Sequence, residues 1–231
     1  MKKITRKKHL EMRLQNIPSH PKPKVNLEQY STPSIIASDL VWNAFSFGDI
    51  DSKNIFDLGC GTGIFAIASA LMGANLAVGV DIDGDSINLA REVSDKLNAD
   101  NLKFIQSDIV DFNPSYTVNT IFQNPPFGSQ RKVQSGQDLK FIKKAMELKP
   151  EVLYSFHMAS TEDFLLEYYE DNNLDVTHIF RYNFPIPKIY DFHSKEKTDV
   201  DVIVLRAVLW TLKFYFFQFF YFYTLKNNTF I

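Results

Sequence analysis

Two short stretches of this chain place residue types at spacings suited to chemistry on a flat, nitrogen-bearing ring. The first is Asn124-Pro125-Pro126-Phe127. Consecutive prolines fix the backbone and leave carbonyls without neighbouring N–H donors. The Asn124 side-chain oxygen and the Pro125 carbonyl can then accept both hydrogens of a planar NH2 group. Such a cradle aims the nitrogen lone pair by positioning and electrostatics rather than by proton abstraction. Phe127 offers a π-face to the ring, a stack worth roughly 1–3 kcal/mol for a base. The second stretch is Asp57-Leu-Gly-Cys-Gly-Thr-Gly63, where a short apolar run gives way to a helical pattern. Glycines there (Gly59, Gly61, Gly63) let the backbone approach a ligand closely, and a helix start presents N–H groups. Asp81 closes the next apolar run and is placed to hold two ribose hydroxyls. Together these residues predict a nucleotide-like cofactor.

The spacing narrows the cofactor. A dinucleotide fingerprint, G-x-G-x-x-G, needs its third glycine at position 64, which is Ile64. The observed Asp-x-Gly-x-Gly-x-Gly instead resembles the adenosylmethionine loop of class I methyltransferases. Ser107-Asp108-Ile109 follows a third apolar run, where Asp108 can accept from an adenine amine with Ile109 against the ring. Aspartate is equally at home there as a turn cap.

These residues need a scaffold, and the pattern supplies one. Thr32-Pro33 reads as a cap and first helical residue, continued by Ile35, Ile36, Leu40 and Val41. Strands are expected over 55–58, 76–80, 102–106, 117–122, 152–156, 175–181 and 200–209. Helices are expected over 64–72, 86–97, 138–148 and 161–171. Strand and helix in alternation mean an α/β fold, a doubly wound, mostly parallel seven-stranded sheet. No helical segment separates the last two strands, so the final one should run antiparallel to its predecessor and close a hairpin.

Composition agrees. The chain has 231 residues, 45% of them hydrophobic and 23% charged, enough for one packed domain. A single cysteine, Cys60, allows no internal disulfide and suits a reducing cytoplasm. Five histidines without ligand spacing give no reason to expect a metal. The net charge of -2 hides an asymmetry. Residues 1–24 are strongly basic, the rest acidic, and a basic arm on an acidic body points to a polyanion. Lys2, Lys3, Arg6, Lys7 and Lys8 of the arm, with Arg131 and Lys132 beyond the proline motif, are the candidate phosphate contacts. Residues 1–16 contain no continuous apolar run, so the arm does not read as a signal peptide.

With these motifs in place, the chain resembles the amino-methyltransferases that act on adenine N6, cytosine N4 or a protein glutamine. More closely, about Met1 to Leu209 is similar to the archaeal and eukaryotic family that makes N6-methyladenosine in small-subunit ribosomal RNA. The resemblance is carried by Leu27–Pro33, Asp57–Gly63, Val80–Asp83, Gln106–Asp108, Asn124–Gly128, Tyr154–His157 and Lys195–Val202. It implies a class I (Rossmann-like) methyltransferase using S-adenosyl-L-methionine. By position, Gln29, Thr32, Gly59, Thr62, Ile64, Asp81, Asp108 and Ile109 would touch the cofactor, with Asn124 to Phe127 on the base. Phe127 in place of Tyr separates this family from the glutamine-methylating one. That activity is the alternative, as is an RNA-binding protein without catalysis. The edge strand 102–106, with Leu102, Phe104 and Ile105 apolar and only Lys103 charged, invites strand addition. The resemblance implies that a small zinc-binding activator docks there.

The expected division is an arm and cofactor-covering segment over 1–30, a methyltransferase domain over 31–209, and an aromatic tail over 210–231. That tail is shorter than the roughly 20 apolar residues a membrane helix needs, and Lys213 and Gln218 interrupt it. An interfacial anchor, a docked strand and translated non-coding sequence all stay open for it.

Overall fold

The computed structural model describes residues 4–20, 23–24, 29–127, 137–187 and 197–209. Lys2, Lys3, Arg131, Lys132 and the 210–231 tail lie outside them.

The elements follow the expected alternation: α1 (Lys7–Leu14), α2 (Ser34–Ser46), β1 (Asn54–Leu58), α3 (Ile64–Leu71), β2 (Leu76–Asp81), α4 (Gly84–Leu97), β3 (Leu102–Gln106), β4 (Thr120–Gln123), α5 (Gln137–Leu148), β5 (Val152–Met158), α6 (Glu162–Asp171), β6 (Leu174–Pro187) and β7 (Lys197–Leu209). They form one seven-stranded sheet in the order β3-β2-β1-β4-β5-β7-β6. β1 to β5 pair in parallel, whereas β7 runs antiparallel to both β5 and β6. The hairpin at the end of the sheet is therefore present. The order reverses between β1 and β4, and in open α/β sheets that switch point opens a crevice at the carboxyl ends of the strands.

Apolar layers cover both faces. One contains α1, α2 and α3 residues such as Leu10, Leu40 and Phe65 against Phe122, Tyr154 and Phe156; the other holds Phe56, Ile121, Leu153, Leu165 and Ile203. The central strands β1, β2 and β4 are buried almost throughout, which is why they read as continuous apolar runs. A second network fixes the far end of the sheet. Arg206 donates to both carboxylate oxygens of Asp49, at 2.8 and 3.0 Å, and the Tyr154 hydroxyl donates to Asp49 Oδ2 at 2.5 Å.

Three expectations change. The arm contains a helix, α1, whose Leu10 and Leu14 are buried in the first layer. Thr32 does not cap α2; the residue before the helix is Pro33, with no side-chain cap. The β3 edge is less bare than its sequence suggests. Leu102 and Phe104 turn into the protein's own core while Ile105 remains 37% exposed, and the Arg91 guanidinium donates to the Phe104 carbonyl at 2.9 Å.

Candidate active site

The glycine loop is shaped by its neighbours before any ligand is considered. Gly63 precedes α3 at φ +86°, a conformation that favours glycine. A Cβ there would come within 2.5 Å of the Phe104 ring, so Gly63 permits packing between the loop and β3. It does not line the cavity. Gly59, at φ +71°, does, and a Cβ on it would meet the Phe141 ring at 2.9 Å. Most loop N–H groups are already engaged. Gly59 and Cys60 donate to the Val80 carbonyl, Gly63 to that of Cys60, and Gly61 to Asp81 Oδ2 at 2.7 Å. The loop thus offers a ligand close backbone approach more than free donors.

Two acids sit beneath it. Asp57 is buried at the end of β1 and accepts from the Ala66 N–H in the first turn of α3, at 3.1 Å. It satisfies a helix-terminal donor that nothing inside the helix can reach. Burial pushes its carboxyl up to about 7, against the Ala66 and Phe65 N–H groups that favour the charge, and Asp81 adds to the rise. Asp81 accepts from Gly61 N–H and, at 2.8 Å, from Asp83 N–H. Burial again raises its carboxyl, opposed by those same backbone donors. Each carboxylate oxygen has a second lone pair, so Asp81 can still accept from ligand hydroxyls. The Cys60 thiol is pushed well up by burial, then by Asp57 and Asp81, and is no nucleophile.

A cavity of about 590 Å3 lies over the loop at the carboxyl ends of the strands. That is within the range of sites for drug-sized ligands. Gln29, Thr32, Asp57, Gly59, Gly61, Thr62, Ile64, Asp81, Asp108 and Ile109 all line it, as do Asn124 and Pro126. The residues fit an adenosyl cofactor: an acid for the ribose at Asp81, an acid and an apolar wall at Asp108 and Ile109, and a glycine at Gly59. Asp108 also caps its own turn, accepting from Val110 N–H at 3.0 Å, so its ligand and capping readings coexist.

Asn124 leaves β4 into this cavity. Its Nδ2 donates to Thr32 Oγ1 at 3.1 Å, and its Oδ1 is buried with no hydrogen-bond partner. Buried acceptors are nearly always satisfied. An unsatisfied one in the wall of a ligand cavity marks where a donor is expected to bind. Pro125 is buried and Phe127 half-buried against the first apolar layer, and neither lines the cavity.

The front wall is the chain's own amino-terminal segment. Leu14 to His20 and Gln29 to Ser34 contribute to the lining, apart from Asn16. Asp83, just before α4, holds this strap. It accepts from Gln29 Nε2 at 2.7 Å and Ser86 Oγ at 3.1 Å, pairs with His20 Nε2 at 2.9 Å, and pairs with Lys24 Nζ. Burial opposes the charge on Asp83, but the hydrogen bonds from Lys24, Gln29 and Ser86 prevail and hold its carboxyl below the usual range. Gln29 is thus spent at both ends of its amide, since Oε1 accepts from Lys24 N–H at 2.8 Å. Of the arm's candidate phosphate contacts, Lys7 pairs with Asp39 at 2.7 Å, while Arg6 and Lys8 are exposed. Sequence reasoning missed Asp83 as the strap's anchor, and also Tyr30, Lys140 and Phe141 in the wall. A carboxylate two residues after Asp81, in a chain with a basic strap, was the available signal for the first.

A family model for the methyltransferase small domain matches residues 35–151. The chain belongs to this methyltransferase family. An uncharacterised protein of Methanocaldococcus jannaschii is 39% identical over 88% of this chain and 94% of its own length. The rRNA N(6)-adenosine-methyltransferase METTL5 of Danio rerio is 33% identical over 86% of this chain and 97% of its own. The crystal structure of a Pyrococcus horikoshii protein, 35% identical, covers 89% of this chain and 98% of that one with a TM-score of 0.79. The fold, the methyltransferase class and its dependence on S-adenosylmethionine stand as the sequence predicted.

Proposed function

We propose that this chain methylates the exocyclic N6 of an adenosine in RNA, specifically small-subunit ribosomal RNA, using S-adenosyl-L-methionine. The observation that carries the reading is the buried, unpartnered Asn124 Oδ1 in the wall of a cavity built for an adenosyl group. When bound, the cofactor would supply an electrophilic methyl group on a sulfonium, whose S–C bond is the one broken in the transfer, leaving a neutral thioether. Asn124 Oδ1 accepts one N–H of the adenine amine, and the Pro125 carbonyl is the rigid candidate for the other. Two such acceptors turn the nitrogen lone pair out of conjugation and stabilise the positive charge that grows on nitrogen as the new C–N bond forms. The surplus proton then leaves to water, so no general base is required. Asp81 and Asp108 orient the cofactor, and the strap excludes solvent from it. The full-length relative in Danio rerio is named for this reaction, which supports the same substrate here.

The test is nucleoside mass spectrometry of ribosomal RNA incubated with the protein and isotopically labelled cofactor. Labelled N6-methyladenosine formed by the wild type and absent with Asn124→Ala is expected. Labelled glutamine in protein, or no label in RNA, overturns the reading.

The same reading includes a small zinc-binding activator docked on β3, and a cytoplasmic site of action. Ile82, Ile105, Val110 and Tyr116, on β3 and the segments beside it, are 37–60% exposed and supply apolar surface for such a partner. Co-expression should raise solubility and cofactor affinity. A fully active soluble monomer that gains nothing from the activator argues against it. Among the described residues, no helix is long and apolar enough to cross a membrane.

A further inference from the structure

The charges around the cavity are unevenly placed. Asp57, Asp81 and Asp108 mark the carboxyl ends of β1, β2 and β3, and among the described lining residues the one Lys or Arg is Lys140. It lies on α5 and is exposed, and it forms no hydrogen bond or ion pair with any described residue. Two neighbours fix its position. Phe141 packs against Gly59, where a Cβ would come within 2.9 Å of its ring. Lys144, four residues on and therefore on the same helical face, donates to the Val110 carbonyl at 3.0 Å. Lys140 thus lies one turn nearer the start of α5, on the face turned toward the Asp108–Val110 segment and the cavity.

An ammonium free of partners in a cavity wall calls for an oxyanion. The cofactor carries two positive groups and one carboxylate, so its net charge suits the three acids and does not require a lysine. An RNA strand that delivers an adenine to Asn124 keeps its phosphates at the mouth, where the acids repel them and Lys140 attracts them. The arm's cations are partly committed elsewhere, Lys7 to Asp39 and Lys24 to Asp83. We propose that Lys140 binds a backbone phosphate beside the target nucleotide and so helps to position the base. This inference rests on the RNA reading above.

The oxyanion has two sources, an RNA phosphate or the cofactor's carboxylate, and the measurements separate them. Lys140→Ala, Lys140→Glu and, as a control, Lys143→Ala are compared with wild type. Lys143 is exposed on the same helix and does not line the cavity. Each is titrated with S-adenosylhomocysteine without RNA, then with a ribosomal RNA fragment across a range of salt. Lys140→Ala should raise the KM for RNA about fivefold to tenfold, with a much smaller change in kcat. It should flatten the salt dependence of binding by about 0.7, the value of one single-strand phosphate contact. Lys140→Glu should do more and Lys143→Ala should change KM less than twofold, with S-adenosylhomocysteine affinity constant throughout. A loss of S-adenosylhomocysteine affinity with unchanged KM for RNA assigns the lysine to the cofactor and overturns the proposal. So does an equal effect of Lys143→Ala, which makes the contribution a diffuse field, and so does no effect at all. Failure of the RNA reading looks different: wild type itself then shows no salt-dependent RNA binding, and this inference falls with it.

Discussion

Asn124 Nδ2 donates to Thr32 Oγ1 across 3.1 Å, tying the end of β4 to the start of α2 and leaving Asn124 Oδ1 turned to its unpartnered side. The contact makes the strap part of the catalytic geometry, since Thr32 is the strap's last residue before Pro33 and the helix. Without the hydroxyl the amide can rotate, and its oxygen is presented only part of the time. Thr32→Val should therefore lower single-turnover methylation roughly fivefold to tenfold, the equivalent of one net hydrogen bond. Thr32→Ser should restore most of it. Equal rates in Thr32→Val and wild type would mean that Asn124 is oriented by something else.

Asp83 should govern how tightly the strap closes. Asp83→Asn removes the charge that Lys24 and His20 face, while Asn can still accept from Ser86 or Gln29. Cofactor affinity should fall roughly tenfold, about the worth of one charge-assisted hydrogen bond. Limited proteolysis should cut the strap faster. The acid side is also constrained. The folded carboxyl titrates below its ordinary value, so its stabilisation is complete above about pH 4 and is lost as pH falls through the lower folded value. An acid unfolding profile that is the same in wild type and Asp83→Asn would remove the latch.

How much of this was legible in the sequence follows from where the information lies. The buried parallel strands announce themselves as short apolar runs, and β3 begins and ends where the pattern places it. The placement of the motifs at the carboxyl ends of parallel strands likewise follows from the alternation, whereas the reversal of order between β1 and β4 does not. β6 runs on to Pro187, past Pro185, which reads as a strand breaker. It lies at the sheet's edge, where a missing N–H costs little. α1 was missed because its apolar content is only Leu10, Met12 and Leu14 among charges, too sparse for a periodicity. Thr32 satisfies every local rule for a helix cap, and its actual partner is 92 residues away in sequence. Phe141 and Lys140 are ordinary members of an amphipathic helix until the fold sets them against Gly59 and the cavity.

The Asp49–Arg206 pair predicts a stability effect separable from activity. Arg206 is half-buried and Asp49 is buried, and Tyr154 adds a third bond. Arg206→Met leaves the Asp49 carboxylate uncompensated, a loss of about 3–5 kcal/mol for buried pairs. Tyr154→Phe removes one hydrogen bond and should cost about 1–3 kcal/mol. Calorimetric Tm values should fall in that order. Methylation per folded molecule at low temperature should hold, because neither Asp49 nor Arg206 lines the cavity. A selective loss of turnover at full stability would contradict a purely structural role.

Asp57 predicts a coupling between cofactor binding and protons. Burial raises its folded carboxyl from 3.8 to about 7. A raised carboxyl stabilises the fold fully below about pH 4, and that contribution is lost as pH rises toward 7, when a charge must be buried. Bringing a cofactor of net positive charge into the same cavity favours the ionised form and lowers the carboxyl again. Binding should therefore release protons near neutrality, and affinity should rise as pH increases from about 6 to 8. Asp57→Asn keeps an acceptor for the Ala66 N–H but cannot titrate, so its affinity should be flat over that window. Its stability relative to wild type should improve with rising pH. Calorimetry with S-adenosylmethionine itself, whose sulfonium supplies the net positive charge, in two buffers of different ionisation heat gives the proton count directly. A wild type that binds without proton release, or Asp57→Asn that retains the full pH dependence, would place the titrating group elsewhere, Asp81 being the next buried acid whose carboxyl is raised.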